Sequence, residues 1–269
     1  MYKVKYKKYC TILRGNHEDC LISRKYGMFN YESGRAQKST AFAREAMNAI
    51  FGYLHLCCIV NKEFFCVHGC PPVAKGTTIE QLSEIKLPVN LAFSNYPCCI
   101  DELLWNDPRV ELPGGPAAYY YTPSSDNYPH PSYDCVESRR GVGFQFEEGR
   151  LKDWMFRNKI RRILRAHECP IDKGCAVTDT FGNGRCLTVF SAPNYYPPTF
   201  KDGKFDQGSR NQGGYLTISN PGNEFELVLT HVVTGTGACS QNSQNSNMKI
   251  EVLKNKQTNK THLTSMKRA

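Results

Sequence analysis

The apolar residues of the N-terminal third recur with two periods, which predict three strands and one helix. Residues 9–13 form a short apolar run that is typical of a buried strand. Residues 56–60 and 63–67 form two more such runs around a turn at Asn61 and Lys62. A helix that faces a core is predicted before them, because apolar side chains recur at steps of three and four, at Phe42, Ala46, Ala49, Ile50, Tyr53 and Leu54.

The rest of the chain changes from alternating helices and strands to strands alone. Thr77 and Glu80 fit a capping box at the start of a helix that ends at Ile85. The other predicted elements are a strand at 142–146, a helix at 151–160, a strand at 163–164, a hairpin of 175–180 and 186–190, and strands at 214–218 and 225–233. This order predicts the α/β class, as a mixed β-sandwich flanked by helices, with functional residues in loops after strands.

Two stretches differ in composition from the rest of the chain. Residues 111–139 are rich in Pro, Gly and Tyr, and we interpret them as a surface insertion. A docking loop beside the functional site is the alternative for the same residues. Ser, Asn, Gln, Thr and Lys dominate residues 234–269, which predicts a disordered polar tail after a folded domain at 1–233.

Composition and charge narrow the possible functions. Of the 269 residues, 40% are hydrophobic and 22% charged, as in ordinary globular domains, and the net charge is +9. No stripe of Lys and Arg interleaved with aromatic residues occurs outside the termini, so the charge gives little support to nucleic-acid binding. No apolar run reaches the length of a membrane span, and residues 1–8 lack the apolar core of a signal peptide.

The 13 cysteines fit neither a zinc ribbon nor a disulfide framework. No Cys-x-x-Cys motif occurs, and Cys57-Cys58 and Cys98-Cys99 are adjacent pairs. Several thiols sit within apolar runs, where a free cysteine behaves as a small hydrophobic residue. A reducing compartment, the cytoplasm or the nucleus, is therefore predicted.

The sequence Arg14-Gly15-Asn16-His17-Glu18 directly follows the first predicted strand. A carboxamide and an imidazole are potential metal ligands, an imidazole also transfers protons, and a guanidinium matches the geometry of phosphate. The residues therefore indicate a site for a metal ion and a phosphate group. Because a short motif also occurs by chance, an ordinary polar loop remains the alternative at this point.

Five more motifs follow in a fixed order. They are Val67-His68-Gly69, Trp105-Asn106-Asp107-Pro108, Arg140-Gly141-Val142, Arg165-Ala166-His167-Glu168 and Ser191-Ala192-Pro193-Asn194-Tyr195. In this order the set resembles the PPP family of protein serine/threonine phosphatases, which have the calcineurin-like metallophosphoesterase fold. The resemblance covers about residues 1–233.

The resemblance implies a role for several side chains. It implies that one divalent ion is held by three ligands, namely Asn16, His68 and His167. His17 is implied to be the general acid that protonates the leaving serine or threonine. Phosphate-binding roles are implied for Arg14, Arg140 and Tyr195, with both arginines acting as a clamp. Asp107 is implied to support the site rather than to bind metal.

The chain departs from the family pattern in several places. Two earlier motifs of the family, GDxHG and GDxxDRG, do not occur, so the first βαβ portion of the fold is expected to be missing. The family uses two divalent ions (Mn²⁺, Fe²⁺/Fe³⁺ or Zn²⁺), whereas only one partial site without a bridging carboxylate is expected here. Cys70 replaces a glycine, and the connection at 196–213 is longer. The chain is therefore interpreted as an N-terminally truncated phosphatase or a fragment of one.

Four functions stay open from the sequence. The first is a metal-dependent protein serine/threonine phosphatase that acts on phosphoproteins, with possible regulatory subunits and a catalytically incomplete chain. The alternative is an inactive phosphatase-derived binding or scaffold protein. A hydrolase of small phosphoesters shares the metal chemistry, and nucleic-acid binding has no motif behind it. We expect neither a nucleic acid nor a membrane as a partner.

Overall fold

The computed structural model describes residues 2–6, 8–26, 36–91, 98–110, 135–169, 176–195, 199–201, 204–206, 211–219 and 226–232. The helices in these ranges are α1 (Tyr2–Lys5), α2 (Cys20–Lys25), α3 (Ala36–Phe51), α4 (Ile79–Ser83), α5 (Cys99–Trp105) and α6 (Glu148–Arg157). The strands are β1 (Cys57–Val60), β2 (Phe64–Val67), β3 (Asp107–Pro108), β4 (Cys135–Glu137), β5 (Phe144–Phe146), β6 (Arg162–Arg165), β7 (Val177–Asp179), β8 (Cys186–Val189), β9 (Thr199–Lys201), β10 (Lys204–Asp206), β11 (Gly213–Ser219) and β12 (Glu226–Val232).

A five-stranded sheet in the order β1-β2-β6-β8-β7 organises the fold. Strands β2, β6 and β8 run parallel, and β1 and β7 flank them as antiparallel edge strands. A three-stranded sheet in the order β3-β5-β4 and the pairs β9–β10 and β11–β12 complete the described strands. The parallel centre matters for the site, because it brings the carboxyl ends of β2, β6 and β8 to one edge.

The two faces of the central sheet bury different clusters, as the alternation of side chains along a strand requires. Phe65, Val67 and Ile163 pack into the larger core with helices α4, α5 and α6. Phe64 and Leu187 point to the other face, where they pack against the β11–β12 pair. The structure thus confirms a mixed α/β sandwich with helices on its flank.

The interior strands form as the sequence predicts, whereas two predictions for the outer elements are wrong. Residues 9–13 were predicted as a buried strand, but Leu13 forms only an isolated bridge with His55, and Tyr9 is 89% exposed. Residues 56–60 were also predicted as buried, yet β1 is an edge strand whose Ile59 is exposed. Apolar runs predict a strand, but burial also requires neighbours on both faces, which the described residues do not provide here.

The helix at α3 forms as predicted, but its apolar face does not face a core. Phe42 is 75% exposed, and Ile50 and Tyr53 are exposed as well. Among the α3 residues whose burial is described, 42–51, the C-terminal Phe51 is the buried one. The periodicity therefore predicted the helix correctly but its burial wrongly. The spacing of apolar residues shows which side of a helix favours burial, but it does not show whether another element covers that side.

Smaller differences lie in caps and connections. The capping box is formed by Thr78 and Gln81, not by Thr77 and Glu80, and the helix ends at Ser83. The connection at 196–213 contains strands β9 and β10, which the sequence did not indicate. Most of the insertion at 111–139 and the whole tail at 234–269 lie outside the described residues. In the described part of the chain, no helix combines the length and apolarity needed to cross a membrane.

Candidate metal centre

Three separate segments bring the predicted ligands to one edge of the central sheet. His68 follows β2 directly, and His167 comes two residues after β6, its parallel neighbour. Asn16 reaches the same place from the turn after Leu13, which is tied to the sheet by the hydrogen bond from Arg14 N to His55 O at 2.8 Å. Because parallel strands end together, the order of the sheet places both histidines side by side.

His68 Nε2 lies close to a donor atom of each of the other two residues. His68 Nε2 lies 2.8 Å from Asn16 Oδ1 and 3.2 Å from His167 Nδ1. The two imidazole rings meet edge to face with their centroids 5.1 Å apart. Ligands of one metal ion stand about 3 Å from one another when each bond is about 2.1 Å long. The spacing therefore fits three ligands of a single small cation.

The backbone around the histidines is held in unusual positions. His167 has φ of 63°, a left-handed conformation that costs energy for a residue with a side chain and is concentrated at functional sites. Gly69, next to His68, lies so close to α5 that a Cβ would come within 2.8 Å of the Leu104 carbonyl carbon. Only glycine allows this approach, which fixes the position of the His68 backbone against α5.

Burial and nearby charges keep both imidazoles neutral. Burial, followed by the Arg165 and His17 charges, lowers the pKa of His68 to about 3. Burial, followed by Arg165, His68 and Arg140, lowers the pKa of His167 to about 2. A neutral imidazole has a lone pair for a metal ion, so these shifts favour the form that binds a cation.

Asp107 supports the centre from behind. Its side chain is fully buried, and its Oδ1 lies 3.1 Å from Arg165 Nη2 and 3.7 Å from His167 Nε2. His167 Nε2 is buried and has no hydrogen-bond partner within the described residues. A carboxylate behind the distal nitrogen orients the imidazole of a metal-binding histidine. The position of Asp107 agrees with the supporting role that the resemblance implies.

Arg165 lies behind the candidate ligands, and its sequence motif alone did not indicate a structural role for it. Its side chain is fully buried. The guanidinium donates to two backbone carbonyls, Gly69 O at 2.7 Å and Asn106 O at 3.2 Å, and to Thr188 Oγ1 at 3.2 Å. It also bonds to the carboxylates of Asp107 and Glu168. It joins the ends of β2, β6 and β8. The available signal was a charged residue that continues the apolar pair Ile163-Leu164, because a charge inside a buried strand requires partners.

Arg140 lies on the open side of the same network. Its Nε donates to Asp107 Oδ2 at 3.1 Å, and its side chain is 45% exposed. The turn that carries it is closed by the bonds from Ser138 N to Gly143 O and from Gly141 N to Ser138 O. The contact with Asp107 engages Nε, and no hydrogen bond within the described residues engages either Nη atom.

Arg14 occupies a different environment from Arg140. Its side chain is buried, and it donates from Nη1 to Val89 O at 2.7 Å and from Nε to Glu18 O at 2.9 Å. Arg14 also lines a cavity of about 390 Å³ together with Phe51 and Val89. These bonds to backbone carbonyls support a structural role in holding the loop, and the predicted clamp role of Arg14 stays a prediction.

His17 and Tyr195 each make a ring contact outside the cluster. The His17 ring lies against Tyr26 with 4.8 Å between centroids, and the His17 charge contributes to the pKa shift of His68. Tyr195 is exposed, and its ring packs edge-on against Phe190 at the end of β8. The general-acid role of His17 and the phosphate-binding role of Tyr195 therefore stay predictions.

The candidate ligands in the described part of the chain form one cluster of neutral donors. Among the described residues, no group of three or more His, Cys, Asp and Glu side chains is arranged to hold a metal. The cluster of Asn16, His68 and His167 reaches three ligands only through the carboxamide of Asn16. Mn²⁺ favours carboxylate oxygen, so these neutral ligands are expected to bind it weakly.

Comparison with known proteins agrees with the motifs. The sequence profile of the Metallophos family, described as calcineurin-like phosphoesterase, matches residues 1–170. The serine/threonine-protein phosphatase PP2A-like PPG1 of Saccharomyces cerevisiae is 28% identical over 193 residues, which are 72% of this chain and 48% of that protein. A catalytic subunit of protein phosphatase 2A from Dictyostelium discoideum is 27% identical over 195 residues, 72% of this chain and 52% of that protein.

A solved structure shares the fold. It is described as a protein serine/threonine phosphatase from Saccharomyces cerevisiae with similarity to human phosphatase PP5, and it covers 89% of this chain at a TM-score of 0.55 and 21% identity. The match takes in 58% of that chain. The chain thus spans about half the length of the curated relatives it matches.

Proposed function

Because the chain belongs to the calcineurin-like phosphoesterase family, with the PPP serine/threonine phosphatases among its relatives, we propose that it acts in hydrolysing phosphoserine and phosphothreonine with metal-activated water. The observation that carries the proposal is the convergence of Asn16 Oδ1, His68 Nε2 and His167 Nδ1. Three donor atoms from three distant segments of the chain meet at the spacing that a single bound cation requires.

The chemistry divides between the ion and the side chains. A divalent ion in such a centre supplies a Lewis acid and an activated water. Asn16, His68 and His167 would hold it, and the buried Asp107 carboxylate lies behind the His167 ring, 3.7 Å from its Nε2. Arg140, whose side chain is 45% exposed, offers its guanidinium to a phosphate oxygen, while His17 protonates the departing alkoxide. Tyr195 lines the approach to the phosphate.

The 269-residue chain is proposed to be catalytically incomplete. A two-ion phosphatase needs carboxylates that neutralise and bridge the ions. The three ligands of the described cluster are all neutral, which supports the second candidate, a phosphatase-derived binding or scaffold protein. The proposed partners are phosphoproteins and regulatory subunits, and the proposed location is the cytoplasm or the nucleus. Mn²⁺, iron and Zn²⁺ are the metals proposed from the resemblance.

Metal binding tests the first step of the proposal. We expect the 269-residue chain to bind Mn²⁺ weakly in isothermal titration, and His167→Ala to lower the affinity at least about tenfold. His55→Ala is the matched control, because His55 is an exposed histidine just before β1 and outside the cluster. Equal affinity of His167→Ala and the unaltered chain would refute the three-ligand site.

Turnover separates the two candidates. With saturating Mn²⁺ we expect little hydrolysis of a phosphoserine peptide by the unaltered chain. Robust turnover would show that the centre works without a bridging carboxylate. In that case His17→Asn should reduce turnover and leave the metal affinity unchanged, whereas a joint loss would make His17 a ligand.

A further inference from the structure

Two cysteines face each other across the edge of the central sheet. The antiparallel register of β1 and β2 sets Cys58 directly opposite Cys66. Directly opposed residues in antiparallel strands have Cα atoms about 4.5–5.5 Å apart. A disulfide spans Cα atoms about 4.4–6.8 Å apart, so the backbone already holds this pair at a suitable distance.

The two side chains share one face of the sheet. Directly opposed residues of an antiparallel pair point to the same side, so the thiols of Cys58 and Cys66 are neighbours on one face of β1 and β2. Both residues are half-buried, and β1 is an edge strand of the central sheet. The pair therefore combines a suitable backbone distance with partial access from solvent.

Neighbouring thiols lack this combination. Cys57 points to the other face of β1, opposite Val67, and burial raises its pKa to about 12. Cys70 and Cys186 are both buried in the core with no exposed surface. Cys58 and Cys66 differ from these thiols because they are directly opposed across two strands and are both partly accessible.

We propose that Cys58 and Cys66 form an oxidative modification site, which a peroxide converts into a cross-strand disulfide. The Cys58 thiolate attacks one oxygen of the peroxide, the O–O bond breaks, and the leaving hydroxide takes up a proton as water. Cys66 then loses its proton, its sulfur attacks the Cys58 sulfenic acid, and the S–O bond breaks with release of a second water. The peroxide gains the two electrons that the two thiols lose.

The sequence allows a direct test by peptide mapping. Trypsin cleaves after Arg44, Lys62 and Lys75, so Cys58 lies in the peptide 45–62 and Cys66 in the peptide 63–75. The full chain is treated with equimolar hydrogen peroxide, the remaining thiols are alkylated, and the digest is analysed without reduction. We expect a linked pair of these peptides, lighter than their sum by two hydrogen atoms, which disappears with dithiothreitol. Fragmentation is expected to locate the bond between Cys58 and Cys66.

Adjacent cysteines provide matched controls. Cys57→Ser removes a thiol one position away and is expected to leave the linked peptides unchanged, whereas Cys58→Ser is expected to abolish them. Cys98→Ser removes an exposed thiol on another element and should also have no effect. A bond to Cys57 or Cys70, or oxidation of Cys98 before any linkage, would overturn the proposal. Mapping of the unaltered chain decides it even where a variant fails to fold.

Discussion

The interior strands and the outer elements of this chain use similar residues with opposite results. The interior strands β2, β6 and β8 are largely buried and end at the candidate metal centre. The open edge, which we define as residues 9–13, α3 and β1, also has recurring apolar residues but exposes Tyr9, Phe42 and Ile59. Apolar residues form the elements in both regions, but within the described residues the packed neighbours that make a core lie around the interior strands.

The charged side chains of the interior and of the surface also differ in their burial. In the interior, Arg165 and Asp107 are fully buried and bond to each other and to backbone carbonyls at the strand ends. Outside the core, ion pairs such as Arg161 with Glu63 are half exposed to water. Buried charges are strongly destabilising when one partner is removed, and exposed pairs contribute little. The comparison can therefore be tested by replacing one arginine of the buried network and one arginine of an exposed ion pair.

The largest effect is expected for Arg165→Met. The substitution leaves Asp107 without one of its arginines and deprives Gly69 O and Asn106 O of their donor. We expect the free energy of unfolding to fall by about 3–5 kcal/mol, measured by urea denaturation. Arg161→Met, on the exposed pair, should cost less than about 1 kcal/mol. Similar losses for the two variants would show that the interior network does not hold the strand ends together.

A smaller, pH-dependent effect is expected at Glu102 in α5. This carboxyl group is fully buried, and burial raises its pKa from 4.5 to about 7 in the folded chain, while bonds from Ala74 N and Asn106 Nδ2 oppose the shift. Because the folded state disfavours the charged form, stability from this group is lost as pH rises from about 4.5 to about 7. Above about pH 7 this group no longer contributes to the stability of the folded chain.

Glu102→Gln removes that loss because the amide cannot ionise. We expect the variant and the unaltered chain to differ little near pH 4.5 and to diverge towards pH 8, where the variant is more stable by up to about 3 kcal/mol. The measurement is the difference in unfolding free energy at each pH, which cancels the titration of other groups. Glu84→Gln, on an exposed glutamate, should show no such slope. A flat difference for Glu102→Gln would contradict the raised pKa.

The sequence predicts the interior strands better than it predicts the environment of the open edge. The pattern around β2, the β7–β8 hairpin and the β11–β12 pair predicted the observed elements, because each of these strands pairs with a strand close to it in the sequence. The ordered motifs placed Asn16, His68 and His167 at one site, as the structure does. The exposure of Ile59 and Phe42 was not predictable, since it depends on which surfaces cover them in the folded chain. Arg165 was missed because its partners come from three other segments that only the folded sheet brings together.

The smallest effect is expected on the open edge, with Phe42→Ala in α3. Phe42 is 75% exposed, so its removal takes little apolar surface from a core, and alanine favours a helix slightly more than phenylalanine. We expect the unfolding free energy to change by less than about 0.5 kcal/mol. Leu103→Ala, in a helix where the side chain is 0% exposed, should cost about 2–5 kcal/mol in the same assay. A cost for Phe42→Ala that approaches the Leu103 value, and that grows with protein concentration, would mean that another copy covers α3 in solution. The open edge would then have a core of its own, formed between chains.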